Sequence, residues 1–311
     1  MSAVPAATSF ERNDRRGSIR SHSIGSGAAK ATPSGIRSAA LRFAYTARGL
    51  KNYAAAEVYG DRCRIVGVRP GPDGAVVMAH HECDLTKDDA VVSLREFRRA
   101  TDLVKELRIA LWPRLDDAGV TAISAKTEDE LPYPTTVSIR QRVTPLVHAG
   151  FRVAGVSLPH QVLAEMAMQH GTRLAIAVAF HPDGGCVTIA RHGHAGPRPA
   201  YLRWDAAWCA ATAGSGSTLP RYEFAAAFAP HVRQLMQSLP PQPIPILACG
   251  SMPNLRTAMA PLSEEFGRDV QVLDHPWPGM LDAEAGTIPT EPAVWQLARA
   301  AAQSAALAHS R

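Results

Sequence analysis

A chain of 311 residues, 46% apolar and 20% charged, can bury a sizeable core as one large domain or as two of roughly 150 residues each. Its mean hydropathy is −0.09, and no run of about 18 apolar residues occurs, which excludes a transmembrane helix. The five cysteines (Cys63, Cys83, Cys186, Cys209, Cys249) are odd in number and form no C-x-x-C pair, which excludes a disulfide framework and a zinc ribbon. They are expected to be reduced thiols of a cytoplasmic protein. No apolar segment followed by a cleavage site stands near the N-terminus, so no secretory signal is expected.

The net charge of +5 is unevenly spread. Residues 1–38 carry Arg12, Arg15, Arg16, Arg20, Lys30 and Arg37 against Glu11 and Asp14, which leaves the remainder nearly neutral. That segment is rich in Ser, Gly and Ala and poor in large apolar side chains, so it is expected to be a disordered basic tail. A cationic arm of this kind attracts polyanions weakly and without specificity.

Order is expected from about Leu41. Segments 54–59 and 63–69 have strand composition, and 75–83 follows the turn Pro70-Gly71-Pro72-Asp73-Gly74 as a hairpin partner. Val92, Leu94, Phe97, Leu103 and Val104 fall at helical intervals and predict a helix over 91–106. Strands are predicted at 107–112 and 121–125. A helix over 134–149 is stopped by Gly150, and a strand follows at 153–157. Pro159 opens a helix over 159–169 that ends before Gly171. Segments 174–180 and 186–191 form a second hairpin around a turn at 181–185. A helix over 221–238, a strand at 246–249, a helix over 253–266, a strand at 270–273 and a helix over 291–308 complete the chain. The pattern is α/β with mixed sheets, in which a hairpin opens each half.

Four stretches carry a family resemblance: 143–166 (VTPLVHAGFRVAGVSLPHQVLAEM), 174–193 (LAIAVAFHPDGGCVTIARHG), 245–274 (PILACGSMPNLRTAMAPLSEEFGRDVQVLD) and 293–308 (AVWQLARAAAQSAALA). In order and spacing the chain resembles the type IV pilus assembly protein PilM and its relatives, the cytoplasmic part of the type II secretion protein GspL and the pilus protein MshI. The resemblance implies an actin-like, ribonuclease-H-like duplicated fold. Its first lobe would be 39–170, completed by the helix 293–308, and its second lobe 171–292. It also implies a cytoplasmic protein at the inner face of a bacterial inner membrane. Its partner would be the short cytoplasmic N-terminus of a PilN-like inner-membrane protein.

ATP-using members of this fold need two phosphate hairpins, each with an Asp-x-Gly that serves magnesium and phosphate. Here the first is Glu57-Val58-Tyr59-Gly60, with Glu for Asp and a phenol ring where phosphate would lie. The second is Ala177-Val178-Ala179, with no carboxylate; Asp183, Gly184 and Gly185 form the next candidate turn. Gly250-Ser251 keeps the type of the nucleoside-side turn. The expectation is therefore a vestigial cleft of Glu57, Gly60, Asp183, Gly184, Gly185, Gly250 and Ser251, with hydrolysis lost and ATP and magnesium not favoured. The rival within the fold is an active ATPase or sugar kinase.

Outside the cleft, His192-Gly193-His194 would share a strand face as metal ligands do, with His181 and Cys186 near in sequence. Solvated loop histidines are the plainer reading. The adjacent His80 and His81 point to opposite faces of a strand. The loop Gly214-Ser215-Gly216-Ser217 lacks the spacing of a nucleophile turn and the lysine of a P-loop. Arg95, Arg98 and Arg99 share a helix face and form either a grip for an acidic partner or a solvated surface. Trp204 and Trp208 are expected on one helix face. Leu131-Pro132-Tyr133-Pro134 is an extended loop.

Overall fold

The computed structural model describes residues 51–310 apart from 72–73, 114–121, 125–135, 197–198, 205–218, 242 and 275–290. The expected tail 1–38, the Pro-rich loop 131–134, the Gly/Ser loop 214–217, Trp208 and Cys209 lie outside the described residues.

The first half opens with β1 (Asn52–Tyr59), β2 (Arg62–Gly71) and β3 (Gly74–Asp84), followed by α1 (Ala90–Ala100), β4 (Leu103–Leu111) and β5 (Ala122–Ser124). α2 (Thr136–His148), β6 (Arg152–Ser157) and α3 (Pro159–Gln169) come next. The second half runs β7 (Leu174–His181), β8 (Gly184–Arg191), β9 (His194–Ala195), β10 (Ala200–Arg203), α4 (Leu219–Met236), β11 (Ile246–Gly250), α5 (Leu255–Phe266) and β12 (Val270–Val272). A 3-10 turn at Pro292–Trp295 leads into α6 (Gln296–Ser310).

One sheet has the order β3-β2-β1-β4-β6. The other has the order β12-β11-β7-β8-β10-β5, with β9 paired to β8. In each, an antiparallel hairpin (β1/β2, β7/β8) continues through parallel partners (β4 and β6; β11 and β12). The same plan thus occurs twice, as the sequence pattern implies.

β5 departs from it. The strand expected at 121–125 precedes α2 in the chain, inside the stretch assigned to the first lobe, yet it pairs with β10 in the second sheet. The helix expected over 91–106 is also corrected. It ends at Ala100; Asp102 takes a left-handed φ of 48°, and Leu103 starts β4. Leu103 and Leu107, four apart, suit a helix and a strand equally; in β4 Leu103, Leu107 and Ile109 are buried while the alternate residues Val104, Glu106 and Arg108 are half-buried.

The sheets face each other across two helices. α6 lies against β1, β2 and β4, while α3 lies against β7 and β8 and packs on α6. Ala298, Ala300, Ala301 and Ala302 are fully buried, and their small side chains let α6 sit close to both sheets in one core shared with Val162, Leu163, Met166 and Ala167 of α3. Separate apolar layers back each sheet. Leu94 of α1 and Leu146 of α2 cover the first, and Phe224 and Phe228 of α4 with Met259 and Leu262 of α5 cover the second.

The last residue of β11 shows how tightly the second sheet is built. Gly250 pairs with Phe180 at a φ of 121°, and a Cβ placed there would stand 2.0 Å from the Phe180 carbonyl oxygen. Gly267, the C-cap of α5, also has positive φ but meets nothing within 4 Å. Gly250→Ala is expected to cost about 3 kcal/mol or more, from strain and overlap together, and Gly267→Ala about 1 kcal/mol. Urea unfolding of the two variants beside the parent checks the difference.

Candidate functional site

The facing ends of β1 and β7 form the site. β1 and β2 meet in a two-residue turn, Gly60-Asp61, which sets Tyr59 opposite Arg62 and therefore Glu57 opposite Arg64. The Glu57 side chain is 2% exposed. Its Oε2 lies 3.7 Å from Arg64 Nη1. Its Oε1 accepts from Trp112 Nε1 at 2.9 Å and lies 3.0 Å from Nε2 of His181, the last residue of β7. The other ring nitrogen of His181 lies 2.7 Å from Ser251 Oγ, just beyond β11.

These bonds assign the tautomer. Glu57, as an anion, can only accept, so His181 donates from Nε2 and its Nδ1 accepts the Ser251 hydroxyl. Burial alone would push the Glu57 carboxyl up; His181, Arg64 and the Trp112 indole outweigh that and hold it below its ordinary range. Burial pushes His181 down by more than Glu57 lifts it, with Arg64 adding to the fall, so the imidazole is neutral at pH 7.

Aromatic rings close the space above this network. The Tyr59 ring stacks on His181 at 3.7 Å between centroids, and Trp112 meets both edge-on at 5.1 and 4.5 Å. The Tyr59 hydroxyl donates to Asp183 in the β7–β8 turn, and burial followed by this bond pushes the phenol pKa well up. Arg142 of α2 is buried below β1 and donates to the carbonyls of Trp112, Val58 and Gly60.

Of the seven residues named from sequence, Glu57 and Ser251 meet through His181, and Asp183 joins them through Tyr59. Gly60 is an exposed turn residue that touches the cluster only through its carbonyl. Gly184 and Gly185 are corrected: they are the first residues of β8, not part of a turn. A Cβ on Gly184 would come within 2.7 Å of the Leu202 carbonyl oxygen, and one on Gly185 within 2.7 Å of both the Ala179 carbonyl oxygen and the Trp204 ring. They are glycines because the protein's own strand and indole fill that space.

Trp204 is corrected too. It follows β10 directly, outside any helix, with Nε1 donating to the Pro182 carbonyl and its ring against Phe180 and Phe224. His192 and Gly193 form the turn between β8 and β9, and among the described residues no group of three His, Cys, Asp or Glu side chains could hold a metal ion. His80 and His81 do point to opposite faces, one against Trp295 and the other against Phe97 and Ser93. Two of the three α1 arginines are engaged. Arg95 donates to the His148 carbonyl, and Arg98 sits over the Phe151 ring.

Of the partners of Glu57, His181 stood in the sequence only as a candidate metal ligand, and Arg64 and Trp112 were not singled out. A signal for Arg64 was present: a Gly-Asp turn at 60–61 puts residue 64 opposite residue 57, and an arginine amid CRIVGV needs an anion. Trp112 and Arg142 carry no comparable local signal.

The Glu57 oxygens serve Trp112, His181 and Arg64, and Asp183 holds Tyr59. A cavity of about 320 Å³ lies beside the start of α5, lined by Gly250, Met252, Asn254, Arg256, Asp274 and Pro292 among others. That is the lower end of ordinary ligand pockets, about 300–1,000 Å³.

No protein-family model matches the chain, and no curated protein matches it. Solved structures do. Ethanolamine utilization protein EutJ from Carboxydothermus hydrogenoformans aligns with 80% of this chain and 89% of its own, at TM-score 0.52 and 14% identity. The PilM–PilN type IV pilus biogenesis complex aligns over 82% of this chain and 98% of the other, at TM-score 0.52 and 12% identity. Component A of (R)-2-hydroxyglutaryl-CoA dehydratase from Acidaminococcus fermentans aligns over 84% and 100%, at TM-score 0.51 and 10% identity. The fold is actin-like. At these identities the likeness speaks for the actin-like fold alone. Among the described residues no helix is long and apolar enough to cross a membrane.

Two expectations follow. Glu57→Ala leaves the buried Trp112 and His181 donors without an acceptor and Arg64 with only the partly exposed Glu82 as counter-ion, and is expected to cost about 3 kcal/mol. The pair variant Glu57→Ala/Arg64→Ala should cost less than the two single changes added, as read from a double-mutant cycle in urea. The second concerns pH. His160 of α3, bonded to the Tyr201 hydroxyl, is pushed down to about 4 by burial, in the same direction as His181. In the unfolded chain both protonate near pH 6.5, so below that pH the unfolded state binds more protons. Stability is therefore fully present above about pH 6.5 and falls as pH drops, by up to about 1.4 kcal/mol per pH unit for each histidine. Glu57, depressed relative to its unfolded value, adds its own loss at still lower pH. Urea midpoints between pH 7.5 and about 4.5 test the sign; a midpoint that rises on acidification contradicts it.

Proposed function

We propose that this protein is a non-catalytic, actin-like cytoplasmic scaffold of a type IV pilus or type II secretion assembly, of the PilM kind. It works at the inner face of the inner membrane by binding the cytoplasmic N-terminus of a PilN-like membrane protein. The observation that carries this reading is the filling of the phosphate side of the cleft by the Tyr59–His181–Trp112 rings above a fully bonded Glu57. A site of that kind holds the lobes together and has nothing left to offer a metal-bound phosphate. The PilM–PilN complex among the structural neighbours supports the choice of partner. The peptide would add as an extended strand to the first sheet, whose outer strands are β3 and β6.

One observation favours a second reading, a nucleotide-using protein of the same fold: the cavity beside Gly250 and Asn254. Calorimetry separates the two. The scaffold reading expects roughly micromolar binding of a synthetic PilN-like N-terminal peptide and no phosphate release with ATP and magnesium. Turnover of ATP that is lost in Glu57→Gln would overturn it in favour of the second reading.

A further inference from the structure

We propose that Cys63 and Cys83 form a thiol-oxidation site, in which Cys83 takes up the oxidant and Cys63 resolves it to a cross-strand disulfide. The two residues are direct partners in the β2–β3 register. Opposed residues of an antiparallel pair have Cα atoms about 4.5–5.5 Å apart, inside the range of about 4.4–6.8 Å that a disulfide spans. Both side chains belong to the face of the first sheet that packs under α1, so the sulfurs project to the same side.

Their surroundings give them different roles. Cys63 is wholly buried among Val58, Ile65 and Leu94, while Cys83 is half-buried at the margin of that cluster. The thiols touch. The Cys63 S–H donates to the Cys83 sulfur, which lowers the Cys83 pKa against its own burial and against the carboxylates of Asp84, Glu82 and Asp89. The same contact, with burial, pushes Cys63 well up. Cys186 and Cys249, the other described cysteines, are fully buried and pushed up by burial, and they stand on either side of Ala179 with β7 between them, so they are not direct strand partners. An accessible sulfur of lowered pKa beside a protonated resolving thiol is the arrangement in which oxidation proceeds in two steps.

With glutathione disulfide as oxidant, the Cys83 thiolate attacks one sulfur and forms a mixed disulfide. One glutathione thiolate leaves and takes up a proton. The Cys63 sulfur then attacks the Cys83 sulfur, its proton passing to the departing second glutathione thiolate, and the protein disulfide forms. Two cysteine thiols are oxidised, and one glutathione disulfide is reduced to two glutathiones. The new bond would join β2 to β3 one residue from Arg64, the cation that faces Glu57.

The test uses the full chain, incubated with glutathione disulfide, digested without reduction and mapped by mass spectrometry. The parent should yield a Cys63–Cys83 cross-linked peptide. Cys63→Ala should stop at glutathione on Cys83, and Cys83→Ser should give neither product. If both thiols of the parent survive, if glutathione stays on Cys83 of the parent without a cross-link, or if Cys186 or Cys249 reacts first, the proposal fails. The parent result decides even where a core variant folds poorly. It is also independent of whether the protein serves a pilus.

Discussion

A single buried anion, Glu57, sets the geometry of the molecule's centre. A carboxylate removed from water must be met by donors on all sides, since an uncompensated one costs several kcal/mol. Here the donors come from three strands: Arg64 of β2, Trp112 at the end of β4 and His181 of β7. His181 belongs to the other sheet, so satisfying Glu57 requires the two sheets to stand in one relation. Buried ion pairs are poor sources of net stability, because desolvation offsets most of the attraction. What this one contributes is selectivity among arrangements. A sliding of β7 against β1 would break the Glu57–His181 and Tyr59–Asp183 bonds together.

The rings above the network follow from the same demand. A neutral imidazole that donates to Glu57 and accepts from Ser251 has both nitrogens occupied, so its two faces are left to apolar partners. Tyr59 covers one face and Trp112 meets the ring edge-on, which keeps water from competing for the buried bonds. Tyr59 then needs an acceptor for its hydroxyl, and Asp183 supplies one from the β7–β8 turn. Each group is explained by the one beneath it, and the chain of requirements runs from one sheet to the other.

The architecture was largely legible because strand composition, Gly/Pro turns and helix stops are local signals. The helix over 159–169 ends where Pro159 and Gly171 said it would, and both hairpins stand near their expected residues. The errors arose where one pattern served two structures. Leu103 and Leu107 fit a helix face and a strand face, and Asp183-Gly184-Gly185 has turn composition although the glycines are needed in β8 for clearance from Trp204 and Leu202. β5 shows a different limit. Its sequence marks it as a strand, but nothing local says that it crosses to the second sheet. In the site, Glu57, Asp183 and Ser251 were found through the resemblance. His181 entered only as a candidate metal ligand, because its role depends on two residues more than 60 positions away.

In an actin-like protein that uses a nucleotide, the ligand bridges the two lobes, and closure therefore depends on occupancy. Here side chains of the protein itself join the two sheets by hydrogen bonds: Glu57 to His181 and Tyr59 to Asp183. Their effective concentration does not vary with any ligand, so they favour this relation of the sheets without one. An adaptor that presents a surface to a partner gains from such a constraint, because the partner need not supply the energy to order it. The cavity beside Gly250 is unaffected by this argument, since Glu57, Tyr59, His181 and Asp183 are not among its lining residues. A ligand taken up in the pocket would act on a frame already closed, and could stabilise that frame but not drive its closure.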